Sequence, residues 1–385
     1  NAAGDGQPGT SFSDSSGQPG GGGGAIWSSG QLQVASSVFQ SNRAARGADA
    51  REFVNPQNQN NTISANSRPG GSGGAILVAG GTAAITASTF TGSRAGLGGS
   101  NTANVSYVRG GDGGNGGAIA VTGGSATVEN STFQANAAGN SGTPRFGYNN
   151  DNASAGSGGA VAAAAPGALT VTFSTFSGNA VGTGPNDLVG LGASVFGATV
   201  AGSILADAGG ACATPTAGGL ANVVLPGDNS CPGAKVAGDP RLGPLADNGG
   251  AVPTMALGAG SPAIDALVGV PCPATDARGQ LRPRFAGCDA GAFEVQPGSP
   301  AAPGAGAGGG AKTLTPTITP RRITGVTLSR GAFRTYGKKK GTTLGVRLAV
   351  PSQIVLTVTK PATGRRSKGK CVAPTKKLAG KARCT

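Results

Sequence analysis

The chain has no histidine, and its 385 residues hold one methionine, one tryptophan and three tyrosines. Without imidazole it lacks the commonest general base. It also has no Cys-x-x-C pair, so a zinc centre is not expected. No apolar run approaches the length of a membrane-spanning helix. Acidic residues stop at Glu294. Residues 1–294 carry 12 Lys and Arg against 16 Asp and Glu, a net charge of −4, whereas residues 295–385 carry 18 Lys and Arg and no acid. The basic balance of the whole chain therefore belongs to its C-terminal part. So few aromatics beside 73 glycines would suggest disorder, were the glycines not placed in a repeat.

Four times the chain writes Gly-Gly-Ala-Ile or Gly-Gly-Ala-Val: at 23–26, 73–76, 116–119 and 158–161. Each is followed by a Phe-bearing segment, SVFQSN (37–42), STFTGS (88–93), STFQAN (131–136) and STFSGN (174–179). The openings lie 50, 43 and 42 residues apart, a period that belongs to stacked repeat architectures. Two apolar slots precede each Phe: Leu32 and Val34, Ala83 and Ile85, Ala126 and Val128, Leu169 and Val171. Alternation of period two marks a strand with those side chains on one face. One unit cannot bury that face alone, but stacked units can. The expected fold is all-β, a right-handed parallel β-helix. Phe39, Phe90, Phe133 and Phe176 would form one internal stack, and Asn42, Asn136 and Asn179 a ladder broken by Ser93. A weaker fifth rung is expected at 198–205, with Ala198, Val200 and Leu205 in the repeat's slots.

Gly-Gly-Ala-Ile/Leu/Val paired with Phe-x-x-Asn resembles the repeat of the polymorphic outer membrane proteins, which implies a pectin-lyase-like solenoid. The segments at 239–266 and 272–294 are similar to the module called choice-of-anchor Q. That resemblance implies a secreted bacterial protein in which the module follows β-helix rungs. The alternating stretches 326–328, 344–348 and 354–359 in the basic tail resemble the first half of an Ig-like module, a truncated β-sandwich-like unit.

The organisation read from the sequence is thus 1–205 for rungs with long insertions and 206–294 for a C-terminal cap. Residues 295–320 form a Pro/Gly/Ala/Thr linker, and 321–385 an incomplete basic β module. The chain starts without Met inside a Gly-rich stretch and stops within a module, which reads as a piece of a longer polypeptide. Six cysteines fall in local pairs, Cys212 with Cys231, Cys272 with Cys288, and Cys371 with Cys384. Disulfides in an oxidising compartment, with a secreted or cell-surface location, are the expectation. The first two pairs would staple the cap where regular rungs have ended.

The insertions 43–72, 94–115, 137–157 and 180–191 leave the same corner of successive rungs, so they should lie side by side along one edge. They hold Phe53, Tyr107, Arg109, Arg145, Phe146 and Tyr148. Exposed Tyr and Arg suit recognition, so Tyr107, Arg109, Arg145, Phe146 and Tyr148 are the ligand-binding candidates. The ligand would be a glycan or a host or cell-surface molecule; the bland alternative is that these residues pin long loops to the rungs. The cap acids Asp239, Asp247, Asp265, Asp276, Asp289 and Glu294 would suit glycoside hydrolysis or calcium. Their contexts, such as Asp-Asn-Gly-Gly and Asp-Ala-Arg-Gly, are those of turns in which carboxylates accept backbone N–H groups.

GGDGGNGG (110–117) contains Gly-x-Gly-x-x-Gly, but no helix pattern follows, so dinucleotide binding is rejected. The basic runs at 338–340 and 365–366 suit an anionic cell-wall polymer, with a solvated charged face as the alternative. No nucleic-acid partner, cofactor or metal is expected. The sequence thus reads as a non-catalytic adhesion or display protein. A carbohydrate-active enzyme, either polysaccharide lyase or glycoside hydrolase, and a plain surface spacer are the alternatives.

Overall fold

The computed structural model describes residues 1–7, 17–55, 57–101, 109–144, 153–185, 187–213, 221–231, 233 and 235–297. Further on it describes the backbone of 323–328, 344–348, 364–367, 370–372 and 383–384. The chain divides into two units, Asn1–Ala311 and Lys312–Thr385. Among the described residues there is no helix.

Each repeat places one strand in each of three parallel sheets. The first coil supplies Ile26–Ser28, Gln31–Ala35 and Val38–Gln40. Sheet one continues through Ile76–Val78, Ile119–Val121, Val161–Ala163 and Val195–Phe196 to Cys212–Ala213. Sheet two runs from Gln31–Ala35 through Thr82–Thr86, Ser125–Glu129 and Ala168–Thr172 to Thr199–Ala201. Sheet three holds seven strands and ends at Lys235–Ala237.

The register sets like on like. Val34 pairs Ile85, which pairs Val128, then Val171 and Val200. All five side chains are at most 7% exposed. The rings of Phe39, Phe90, Phe133 and Phe176 stack near-parallel at 4.7, 4.9 and 4.7 Å, which is the strand spacing. Leu205 takes the next place against Phe176 and Val224 the one after. The first glycine of each Gly-Gly corner, Gly23, Gly73, Gly116 and Gly158, has φ between 67 and 70°. A left-handed corner of that kind favours glycine.

Parallel pairing does not stop at 205. Cys212–Ala213 joins sheet one, and Asn222–Val224 and Lys235–Ala237 extend sheet three. The Cys212–Cys231 disulfide, Cα–Cα 4.8 Å, thus lies within the last coils, with both cysteines in the main apolar core. It does not follow the rungs, as expected from the sequence, but closes their end.

The bases of the insertions are not loops. Outgoing segments 43–50, 94–101 and 137–144 lie side by side, bridged Arg43 to Arg94 to Ala137 to Ala180. Their backbone bonds recur every third residue. The N–H groups of Ala44, Gly47 and Ala50 donate to the carbonyls of Arg94, Leu97 and Ser100, and those of Ala95, Gly98 and Asn101 to Ala137, Asn140 and Thr143. Burial has the same period: Arg94, Leu97 and Ser100 face outward while the pairs between them are buried. Three residues per turn is the period of the polyproline II chain. Returning segments interleave with outgoing ones through a further series, Gly96 to Gly71, Gly114 to Gly96, Gly139 to Gly114 and Gly156 to Gly139. A Cβ at Gly96 would fall on the Ala45 carbonyl oxygen, and one at Gly142 on that of Gly99. Here the glycines serve close approach of backbones.

Residues 238–297 do not cap the stack's end. They run along its side as a lid over sheet three and the corner before it. Thr89 Oγ1 donates to the Pro253 carbonyl at 2.6 Å, and Asn130 Nδ2 to that of Thr275 at 2.9 Å. The Ala292 N–H donates to Thr175 Oγ1 at 2.9 Å. The lid contains one antiparallel pair, Leu242–Ala246 with Thr254–Leu257, and the Cys272–Cys288 disulfide, Cα–Cα 6.6 Å.

In the second unit Ile323–Leu328 pairs antiparallel with Leu344–Leu348; the expected strand at 354–359 lies outside the described residues. A separate three-stranded sheet has Gly364–Ser367 in its middle, flanked by Lys370–Val372 and Arg383–Cys384. Cys371 and Cys384 therefore stand on opposite sides of the middle strand. Their side chains, and with them the pairing expected from the sequence, lie outside the described residues.

Candidate functional site

The insertion edge is the first place to test. Of the candidates there, Tyr107, Arg145, Phe146 and Tyr148 lie outside the described residues. Arg109 stands where a returning segment begins, and pairs with Asp112 at 2.6 Å, with the two side chains 49% and 43% exposed. Arg46 and Asp49 form the same pair on an outgoing segment. Both are spaced i to i+3, which a three-residue period brings onto one face. The carboxylates do a second job. Asp49 Oδ1 accepts the Ser100 N–H, and Asp112 Oδ1 the Ser154 N–H. Arg109 is thus tied into the layer, and Phe53 lies in an antiparallel hairpin, Arg51–Asn55 with Asn58–Ala65.

Within the stack the polar side chains form two ladders. Asn179 Oδ1 accepts both the N–H and the Nδ2 of Asn136 at 3.0 Å, and Asn136 Oδ1 accepts the Ser93 N–H. Each of these asparagines also donates to a phenylalanine carbonyl of the preceding coil, Phe90 or Phe133. Ser93 cannot pass the pattern on, and its buried hydroxyl has no partner. At the other end the slot is filled by Asp207, 1% exposed. It accepts the N–H and Nδ2 of Asn179 and the hydroxyl of Ser194. Burial raises its pKa above the usual carboxylate range, against the bonds from Asn179 and Ser194. A serine ladder runs in parallel, with the N–H groups of Ser37, Ser88, Ser131 and Ser174 donating to the next coil's Ser Oγ.

The lid gathers the acids that the sequence singled out, and they are spoken for. Asp276 pairs with Arg278 at 2.7 Å and accepts the N–H groups of Arg278, Gln280 and Glu294. Arg278 lies over the Phe293 ring, 3.6 Å from its centre. Glu294 accepts the N–H groups of Arg284 and Asp289 and pairs with Arg282 at 3.3 Å, both side chains buried. Asp289 accepts the N–H groups of Asp265 and Val295. Burial pushes Asp289 up to about 6 and raises Glu294 as well. Asp239 and Asp247 each accept the N–H two residues on, from Arg241 and Gly249, as turn carboxylates do. Asp265 accepts the Gly287 N–H. Among the described residues no group of three or more His, Cys, Asp or Glu is placed to hold a metal.

The sequence reading missed the residues that receive the lid. One corner position carries Ser36, Ala87, Asn130 and Phe173 in successive coils, all with φ between 45 and 49°. A bulky side chain at such a φ is unfavourable. Phe173 is nonetheless 3% exposed, packed with Leu267 and Cys288, with the Arg282 guanidinium 5.4 Å from its ring centre. Asn130 lies one coil away and bonds Thr275. Two residues that break the repeat at one slot were the available signal.

No family model, no curated protein and no solved structure matches the chain.

Proposed function

We propose that the protein is a secreted or cell-surface display scaffold, with the parallel stack forming a right-handed, pectin-lyase-like β-helix. Its role is adhesion, without catalysis. The observation that carries this reading is the glycine-packed layer. It holds the bases of successive insertions in register, with outgoing and returning segments bonded every third residue. A scaffold of that kind presents several non-repeated segments together, so that modest contacts add through avidity. The presented segments are 102–108 and 145–152, with Tyr107, Arg145, Phe146 and Tyr148, and Arg109 at the base. The ligand class is a glycan or another cell-surface molecule.

Two disulfides in the first unit suit an oxidising compartment. Among the described residues no helix is long and apolar enough to cross a membrane. The bonding of the lid acids to backbone N–H groups and arginines supports a structural role for them in place of a hydrolytic one. The basic second unit is assigned to an anionic cell-wall polymer by its charge alone.

The test is binding to glycan, cell-wall and host-cell preparations. The variant has 102–108 and 145–152 replaced by short Gly/Ser segments, which leaves the layer intact. Loss of binding by a folded variant is expected. Undiminished binding refutes the assignment, and binding lost only on removing 312–385 transfers recognition to the basic unit.

A further inference from the structure

The two faces that close a stack of coils are not equivalent here, and one is open. Ile26–Ser28, Gln31–Ala35 and Val38–Gln40 are the terminal strands of all three parallel sheets, at the same end. Among the described residues nothing pairs with their outer edges. Trp27 is 59% and Val38 48% exposed, and Ile26, Leu32 and Phe39 are only partly buried. One coil further on, Ile76 and Phe90 are 0% and Ala83 4% exposed in the same slots. The ring of Phe39 is covered by Phe90 on one face, and among the described residues no second ring covers the other. Proteins usually blunt such edges with charge or proline, yet these three strands contain neither.

The glycine-packed layer extends one step beyond the sheets at this end. Residues 1–7 lie on 43–47 in the register of every later pair. The N–H groups of Ala3 and Gly6 donate to the carbonyls of Arg43 and Arg46, three residues apart, as those of Ala44 and Gly47 do to Arg94 and Leu97. The Arg43 N–H donates to the Asn1 carbonyl at 2.9 Å. The same 2.9 Å bond runs from Arg94 to Asn42, from Ala137 to Ser93 and from Ala180 to Asn136. Asn1 therefore occupies the Asn slot of a Phe-x-x-Asn unit, and residues 2–7 are its outgoing segment. The step so formed is one coil high and flanks the uncovered strands.

We propose that this end is a docking face for one more coil of the same repeat, carried on the same polypeptide ahead of Asn1, its Phe-x-x leading into that residue. The coil would set its three strands on Ile26–Ser28, Gln31–Ala35 and Val38–Gln40 and a ring or aliphatic side chain on Phe39. A second copy docked end to end suits the face less well, since the step formed by residues 1–7 stands in its way. The inference does not depend on the proposed function.

The experiment extends the chain by its own first coil. A copy of residues 23–41, with Leu in place of its tryptophan, is fused directly before Asn1, so that Trp27 stays the only tryptophan. Hydrogen exchange, Trp27 emission and sedimentation are compared with the unextended chain. The expected result is at least tenfold slower amide exchange across 26–40, a blue shift of Trp27 emission and a monomer in both forms. In the unextended chain, amides of 26–40 should exchange at least tenfold faster than those of 119–134. Unchanged exchange at 26–40 in a folded extended chain overturns the proposal. So does an unextended chain that is dimeric with 26–40 already protected, which would make a second copy the occupant.

Discussion

The first and last coils of the stack carry the same pattern and have different fates. At the first, Phe39, Leu32 and Ile26 are partly open. At the last, Leu205 and Val224 are fully buried, two extra strands of sheet three follow, and the Cys212–Cys231 disulfide locks the end. The lid sharpens the contrast: it reaches Thr89 in the second coil, while Val38, one coil earlier in that column, stays exposed. A slot in a repeat has no fixed burial. Its contribution comes from the neighbours above and below, as expected when stability is a sum of intrinsic and nearest-neighbour parts.

The largest expected effect tests that contrast within one column. Phe133→Ala should cost about 3–5 kcal/mol by denaturant titration, the range for buried phenylalanine truncations. Phe39→Ala, with one ring face uncovered, should cost less than about 2 kcal/mol. Equal losses would break the comparison.

The next effect concerns the lid and pH. Asp289 has a pKa of about 6 in the folded chain against 3.8 as the ordinary value. Between those values the folded chain holds a proton that the unfolded chain releases. The contribution is therefore full below pH 3.8 and is lost as pH rises through about 6. It amounts to on the order of 3 kcal/mol, with Glu294 shifted in the same direction. Asp289→Asn should flatten the stability profile between pH 4 and 6, read by thermal unfolding at each pH. A profile unchanged from the parent would show that the lid carboxylate is not the group responsible.

Removing the end lock comes third. Cys212→Ser with Cys231→Ser opens a bridge of sequence separation 19 and should cost about 3 kcal/mol. Amides of 222–237 should then exchange at rates like those of the first coil. If they stay protected, stacking alone holds that end. The smallest effect is expected at the layer's surface. Arg109→Ala breaks a pair with both partners nearly half exposed and should change stability by less than about 1 kcal/mol.

The sequence made the stack legible where a residue type recurred in a fixed slot. Phe39, Phe90, Phe133 and Phe176 could be aligned because each follows its own Gly-Gly corner through the same alternation. The bond from Asn136 to Asn179 could be anticipated for the same reason, and Ser93 as the gap. The layer has a signal of its own, at neither of the usual periods. Small residues at 95, 96, 98 and 99, and at 110, 111, 113 and 114, have period three, not the strand's 2 or the helix's 3.6. Lid docking was out of reach, because Thr89, Asn130 and Thr175 meet residues 164, 145 and 117 positions away. The extra strands 222–224 and 235–237 carry no Phe-x-x-Asn; the first belongs to a coil opened by Gly209-Gly210-Ala211-Cys212, with Cys in the Ile/Val slot, and no Gly-Gly pair stands between the two strands. The candidate ligand residues were legible only as composition: one is tied into the layer, and the others lie outside the described residues.

The three-residue period of the layer also sets a rule for how these insertions change length. Beyond the layer this phase does not apply; the first insertion, for one, pairs as a hairpin there. Within it, a deletion of one or two residues moves Leu97 or Asp112 into a slot where backbones touch and a glycine out of it, whereas a deletion of three restores the phase. The insertions therefore have a grammar of triplets at their roots, and a segment spliced in between whole triplets leaves the base unaltered.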